Sequence, residues 1–183
     1  MERYYDIISK LKDRGVKFDK GISIQEINDI EKYYDVLFPF ELKKLYSINL
    51  PISKGFYNWR DSSEENKKQI KKALELPLQG LLTDLENGYF WCEKWGNQPS
   101  DVKDAKNILF RKYHEAPKLL PIFSHRYMPS IPQESHIPIF SIMQSDIIYY
   151  GKDIISYLEI EFKIKKPNSN MTGKYINFWS DLI

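Results

Sequence analysis

The chain has 183 residues, 42% of them hydrophobic and 15% aromatic. That composition supports a packed core and excludes an intrinsically disordered protein. The formal net charge is only +2, so no overall electric field selects nucleic acid or an anionic membrane as the partner.

Compartment and domain organisation follow from a few further features. The single cysteine, Cys92, excludes an internal disulfide, so an oxidising compartment is not required. The polar start at residues 1–6 predicts no signal peptide, and no apolar run is long enough to predict a membrane span. We therefore expect a cytoplasmic protein with one domain over residues 1–183.

The first half of the chain shows helical spacing. Apolar side chains recur every three or four residues over 2–13, and Ser23 with Glu26 forms the capping-box pattern that begins a second helix. Pro39 is placed to begin a third helix, which Pro51 ends.

Prolines also divide the charged region that follows. We expect one charged helix to end near Leu74, and Pro77 to begin a separate short helix over 78–85. A further helix is expected from Pro99 to Tyr113.

The second half is rich in β-branched and aromatic residues. This composition predicts strands over 119–128, 137–143 and 146–150, followed by a helix over 154–162 and a short closing helix over 175–183. Helices followed by a mostly antiparallel sheet predict an α+β fold. Because the segment 146–150 is almost entirely apolar, we expect a central strand that is covered on both faces.

The order of several short segments carries a family resemblance. After the Ser23–Glu26 capping box, these segments are 38–43, 50–51 with 55–60, 120–129, 138–142 and 146–151, and a helix with 157–158 follows them. Over about residues 22–162, this order resembles the SUKH superfamily, which includes bacterial immunity proteins and fungal regulators of cell-wall glucan synthesis. The resemblance implies an α+β domain that needs no cofactor and acts by binding another protein, in bacterial members often a toxin.

The loop 55–61 contains the first candidate partner-binding residues. Gly55 permits backbone conformations that are closed to other residues, and Tyr57, Trp59 and Arg60 are of the types enriched at binding hot spots. Trp59 has two interpretations, a core residue or a binding residue. We expect Tyr57 and Arg60 to point outward and to contact the partner.

The strand-rich half contributes the other candidates. His125, Arg126 and Tyr127 are expected on one strand, with His125 and Tyr127 on one face and Arg126 on the other. A satisfied buried network is the alternative for these three. Glu134 precedes the next strand and either joins this surface or lies in a solvated loop. Asp146 begins the last strand and is either a turn residue or a buried partner for Arg126.

We find no pattern of a catalytic, cofactor-binding or metal-binding site. His114, His125 and His136 are 11 residues apart, which is not the spacing of metal ligands. Cys92, between Trp91 and Glu93, is expected to pack in the interior. No phosphate-binding glycine loop is present. We therefore expect neither an enzyme nor a bound cofactor or metal.

The expected function is that of an immunity protein that binds a toxin domain. A regulatory scaffold of cell-wall synthesis is the alternative that the same resemblance implies. A third hypothesis is nucleic-acid binding by lysines 67, 68, 71 and 72 with lysines 163, 165 and 166, although a solvated helix face is the preferred interpretation of the first group.

Overall fold

The computed structural model describes residues 1–167 and 171–183. Its α-helices, in chain order, are α1 (Glu2–Asp13), α2 (Ile24–Tyr34), α3 (Phe40–Ile48), α4 (Glu64–Glu86), α5 (Val102–Glu115) and α6 (Ile154–Glu161). Its strands are β1 (Phe18–Lys20), β2 (Asn49–Pro51), β3 (Leu119–Phe123), β4 (Arg126–Pro129), β5 (Ile139–Met143) and β6 (Asp146–Gly151). Helices dominate the first half and the larger sheet lies in the second, so the predicted α+β fold is confirmed.

The described strands form two antiparallel sheets. β1 pairs with β2, and the larger sheet has the order β3-β4-β5-β6, in which every neighbour is the next strand along the chain. Phe123 pairs with Arg126, and Met143 pairs with Asp146, so two-residue turns connect β3 to β4 and β5 to β6. These two turns lie at the same end of the sheet because each connects an odd-numbered strand to the next one.

The larger sheet lies between two helical layers. Leu120 and Met128 belong to a first core that is built with α1, α2, α3 and α6. Leu119 and Tyr127, on the opposite face, belong to a second core with α5 and residues 176–179. Helix α4 spans both cores, its N-terminal half in the first and its C-terminal half in the second.

Local capping signals fix the starts of two helices. The Ser23 hydroxyl accepts from the Glu26 amide at 3.2 Å, and the Glu26 carboxylate accepts from the Ser23 amide at 2.8 Å. The predicted capping box of α2 is therefore confirmed. Asp153 and Ser156 form an equivalent reciprocal pair at the start of α6.

Helix α4 is continuous, so the expected break at Pro77 is wrong. A proline inside a helix lacks the amide that would bond the carbonyl four residues earlier, here that of Ala73. The hydroxyl of Tyr127 donates to the Ala73 carbonyl at 3.1 Å instead. This hydrogen bond, together with the burial of Pro77, compensates for the missing amide.

The expectation of one strand over 119–128 is also wrong. The chain reverses at Ser124 and His125, and Ser124 has a φ of 50°. The turn between β5 and β6 was predicted and is confirmed, with a φ of 56° at Gln144. Both turns therefore place a non-glycine residue in the left-handed region, which is uncommon and is sustained here by the surrounding contacts.

Strand β6 lies at an edge of the sheet, so its predicted central position is wrong. Ile147 and Tyr149 face the second core, whereas Ile148 is exposed and Tyr150 is only partly buried. The other face of β6 is only partly covered, since α6 packs over Tyr150 but leaves Ile148 in contact with solvent.

The predicted closing helix is a short 3-10 helix, Trp179–Leu182. Trp179 is completely buried in the second core, and its indole N–H donates to the Pro117 carbonyl at 2.8 Å. Cys92 is buried beside this segment, as expected for a packing residue. None of the helices in the described part of the chain is long and apolar enough to cross a membrane.

Candidate functional site

Two of the predicted site segments meet in the structure. Phe56 forms a β-bridge with Phe123, and the Gly55 carbonyl accepts from the Ser124 amide at 2.8 Å. The Tyr57 hydroxyl donates to the Ser124 carbonyl, also at 2.8 Å. The loop after β2 is thus joined to the β3–β4 turn, although about 67 residues separate the two along the chain.

A cleft of about 580 Å³ opens beside this junction, and we call it the hairpin cleft. It lies between the β3–β4 turn, the β5–β6 turn and the middle of α4. The residues of its lining that matter most here are Tyr57, Leu76, Gly80, His125, Tyr127 and Met143. Three of the eight predicted site residues therefore share one concave surface, although they come from different elements.

Hydrogen bonds join α4 to the β5–β6 turn, and these two elements form walls of the hairpin cleft. The buried carboxylate of Asp84 accepts from the Gln144 amide group at 3.0 Å, the Ser145 backbone amide at 3.0 Å and the Ser145 hydroxyl at 2.6 Å. A Cβ at Gly80 would lie 2.7 Å from the Cα of Gln144, so the helix reaches the turn only because this residue is glycine. A preformed surface of this kind binds with less ordering entropy than a mobile one.

His125 is the histidine of the hairpin cleft. It is partly exposed in the turn, and its Nδ1 lies 3.2 Å from the Ser124 hydroxyl oxygen. Partial burial, followed by the charge of Arg126, lowers the pKa of His125 below its ordinary value. The imidazole is therefore mainly neutral at pH 7 and offers a hydrogen-bond donor and an acceptor rather than a charge.

The two tyrosines of the hairpin cleft are structural. Tyr57 is only 9% exposed, so the expectation that it points outward is wrong. Its hydroxyl donates to the Ser124 carbonyl, and burial raises the pKa of Tyr57. Tyr127 is buried, and its hydroxyl donates to the Ala73 carbonyl. It therefore supports the floor of the cleft without offering a polar group to a partner.

Arg60 is also committed to the protein itself, so its expected outward orientation is wrong. All five N–H groups of its guanidinium have acceptors within the chain: the Glu26 carboxylate (twice), the Asp19 carboxylate, and the carbonyls of Lys20 and Gly21. Arg60 therefore ties its loop to β1 and to the start of α2.

This ion pair makes stability depend on pH. Hydrogen bonds from Arg60, followed by those from the amide and hydroxyl of Ser23, lower the pKa of Glu26 to about 2. A lowered pKa in the folded state adds stability above the ordinary carboxyl pKa, near 4.5. That stability is lost as the pH falls toward 2. We expect urea denaturation between pH 5 and pH 2.5 to show a decline in stability that is shallower in Glu26→Gln. Equal slopes for the parent and the variant would contradict this assignment.

His125 and Arg126 do not lie on one strand, because His125 is in the turn. Arg126 points to the first core, where it meets Glu161 of α6 at 3.1 Å and the Ser141 hydroxyl at 2.7 Å. Its guanidinium also lies 3.8 Å from the centre of the Tyr150 ring. The alternative of a buried, satisfied network is therefore correct for Arg126.

The remaining predicted residues lie apart from the hairpin cleft. Glu134 pairs with Lys174 at 2.5 Å in a loop, and Asp146 is exposed at the end of the β5–β6 turn. Because Arg126 pairs with Glu161, the interpretation of Asp146 as its buried partner is wrong. Trp59 is buried between Tyr34 and Phe38 in the first core, which decides in favour of its structural interpretation.

A second cleft, of about 300 Å³, is lined by the end of the same loop, and we call it the helix cleft. It lies between α2 and the residues that lead into α4. Sequence reasoning missed its exposed members Asp29, Tyr33 and Asp61. The sequence could have identified Tyr33 as an exposed aromatic residue, because it lies beside the apolar stripe of α2 (Ile27, Ile30 and Tyr34) rather than on it.

The lysine-rich start of α4 borders the helix cleft. Lys67 pairs with Glu64 at 2.9 Å, and the ammonium groups of Lys67 and Lys71 lie 5.3 and 4.8 Å from the centre of the Tyr33 ring. Lys165, of the second lysine group, pairs with Glu159 at 2.6 Å. These local contacts reduce the charge that is free to attract nucleic acid. Among the described residues, no group of three His, Cys, Asp or Glu side chains is placed to hold a metal ion.

Comparison of the chain with protein-family models, with curated proteins and with solved structures finds no match. The resemblance to the SUKH superfamily therefore stays a prediction.

Proposed function

We propose that the chain is a protein-binding module and that it acts as an immunity protein, which neutralises a toxin by occluding it. The observation that carries the proposal is the hairpin cleft. Its rim presents Leu76 and Met143, which are 47% and 60% exposed, beside the neutral side chain of His125. Apolar side chains around a rigid concavity with a few polar groups are typical of an interface core.

Each part of the hairpin cleft has a role in this proposal. Leu76 and Met143 supply apolar area whose burial favours association, and methionine adapts to irregular partner surfaces. Asp84 and Gly80 hold the two walls at a fixed distance. His125 supplies directional hydrogen bonding at the entrance. A regulatory scaffold of cell-wall synthesis would use the same surface, so the identity of the partner distinguishes the two functions.

The test uses the protein encoded next to this gene as the candidate toxin. We expect the parent chain to bind it and to protect cells that express it. Leu76→Asp and Met143→Asp are expected to weaken binding by about 2 kcal/mol or more each, roughly thirtyfold, because each places a charge in the interface core. Binding is measured by calorimetry and protection by growth after toxin induction.

Ile24→Asp is the matched control, because Ile24 is 79% exposed and lies outside the hairpin cleft. It introduces the same charge at an exposed apolar position. Thermal melting of all three variants establishes that they fold. If the Leu76 and Met143 variants fold and still bind like the control, the hairpin cleft is not the interface.

A further inference from the structure

The helix cleft has an aromatic and apolar interior. Trp59 packs edge-to-face against Tyr34 at 5.5 Å between ring centres, and Ile30 lies beside them. Tyr33 forms a half-exposed wall. The volume of about 300 Å³ suits one long side chain rather than a large ligand.

Some of the charged side chains around this interior have an ion-pair partner among the described residues, and others do not. Glu26 and Arg60 satisfy each other, and Lys67 is held by Glu64. The carboxylates of Asp29 and Asp61 are left without an ion-pair partner among the described residues. Asp29 accepts from the Gln25 amide group at 3.0 Å, and Asp61 accepts from the Ser63 backbone amide at 2.9 Å. Each bond leaves a second carboxylate oxygen for a ligand.

Two further observations indicate that this site favours positive charge. The chain already places two ammonium groups over the ring of Tyr33, at distances typical of cation–π contacts. Burial, with smaller contributions from Tyr33 and the carboxylates of Asp61 and Glu64, raises the pKa of Tyr34 to about 12. These two carboxylates favour a positive charge near the cleft and disfavour a further anion.

We propose that the helix cleft receives the side chain of a lysine or arginine from a partner protein. Its positive end lies between Asp29 and Asp61, and its methylene stem packs against Ile30, Tyr33 and Tyr34. Long cationic side chains bind in this way, with the stem on apolar surface and the charge on carboxylates. This inference deepens the proposed function and, as far as it concerns the toxin, rests on it.

The first experiment needs no partner. The folded protein is titrated with Nα-acetyl-lysine methylamide and Nα-acetyl-arginine methylamide, and backbone and indole N–H resonances are followed by NMR. Nα-acetyl-norleucine methylamide is the matched probe, because it has a similar stem and no charge. We expect saturable shifts at Asp29, Tyr33, Trp59 and Asp61 with the two basic probes, weakened by salt. Absent shifts, or equal shifts with norleucine, would overturn the inference.

Variants test whether the carboxylates of Asp29 and Asp61 bind the positive end of the probes. Asp29→Asn and Asp61→Asn keep the shape and remove one charge each, and they are expected to weaken binding of both basic probes. Asp13→Asn is the control, because Asp13 is exposed and outside the cleft. If the control weakens binding as much as the two cleft variants do, the attraction is non-specific and the inference fails.

The second experiment separates this inference from the proposed function. With the toxin as ligand, the double variant Asp29→Asn and Asp61→Asn is expected to lose roughly tenfold or more in affinity. If it binds like the parent while Met143→Asp does not, the toxin does not use the helix cleft and the inference is overturned, but the proposed function stands. If the parent itself does not bind the toxin, the proposed function fails, and the probe titration alone decides whether the cleft binds basic side chains.

Discussion

Replacing Trp59 with alanine is expected to lower the free energy of unfolding by about 3–5 kcal/mol. Its indole is buried in the first core and packs edge-to-face against Phe38 at 5.0 Å between ring centres. The variant loses this apolar burial and leaves a cavity that α2 and α3 can fill only in part. Urea denaturation followed by circular dichroism measures the change without relying on tryptophan fluorescence.

Tyr89→Ala is the control for this experiment. Tyr89 is an exposed aromatic residue, and its truncation is expected to change stability by less than about 0.5 kcal/mol. A Trp59→Ala protein that is as stable as this control would show that the indole is not a core residue.

Replacing Glu161 with alanine is expected to destabilise the protein by about 3–5 kcal/mol, because it leaves the guanidinium of Arg126 buried without a carboxylate. The two side chains are only 17% and 12% exposed. Asp6→Ala, which breaks the exposed pair of Asp6 with Lys10, is the control and is expected to cost less than about 1 kcal/mol. Thermal and urea denaturation give both values.

A double variant tests whether the loss of stability comes from the unpaired, buried charge of Arg126. Arg126→Met with Glu161→Leu removes both charges and keeps apolar volume, so it is expected to be more stable than Glu161→Ala alone. If Glu161→Ala costs no more than Asp6→Ala, the pair between the sheet and α6 behaves as a solvated surface pair, and our account of it is wrong.

Sequence predicts an element well where the signal is local. The capping box of Ser23 and Glu26 needs only residues that are neighbours in the chain, and the structure contains it. The turn at Ser124 and His125 has no glycine, asparagine or proline, and its serine alone is too weak a signal to divide the segment 119–128 into two strands. The edge position of β6 depends on the order of strands in the sheet, which the composition of one segment does not specify.

The candidate site was also difficult to predict from local sequence. Residue type identified Tyr57, Arg60 and Arg126 as able to bind a partner, but their side chains form hydrogen bonds with groups 15–67 residues away in the chain. Whether a donor is free depends on tertiary contacts. The exposed rim of the hairpin cleft, Leu76 and Met143, was missed because an exposed apolar residue and a buried one look alike in a sequence.

The hydrogen bond from Tyr127 to the carbonyl of Ala73 links two positions whose evolution is then coupled. The hydroxyl is needed because position 77 is proline. In a homologue with alanine at position 77, the helix amide would satisfy the same carbonyl, and phenylalanine at position 127 would be tolerated. We therefore expect substitutions at positions 77 and 127 to covary among homologues. Phenylalanine at 127 should be rare wherever 77 is proline, and its appearance should accompany or follow the loss of that proline.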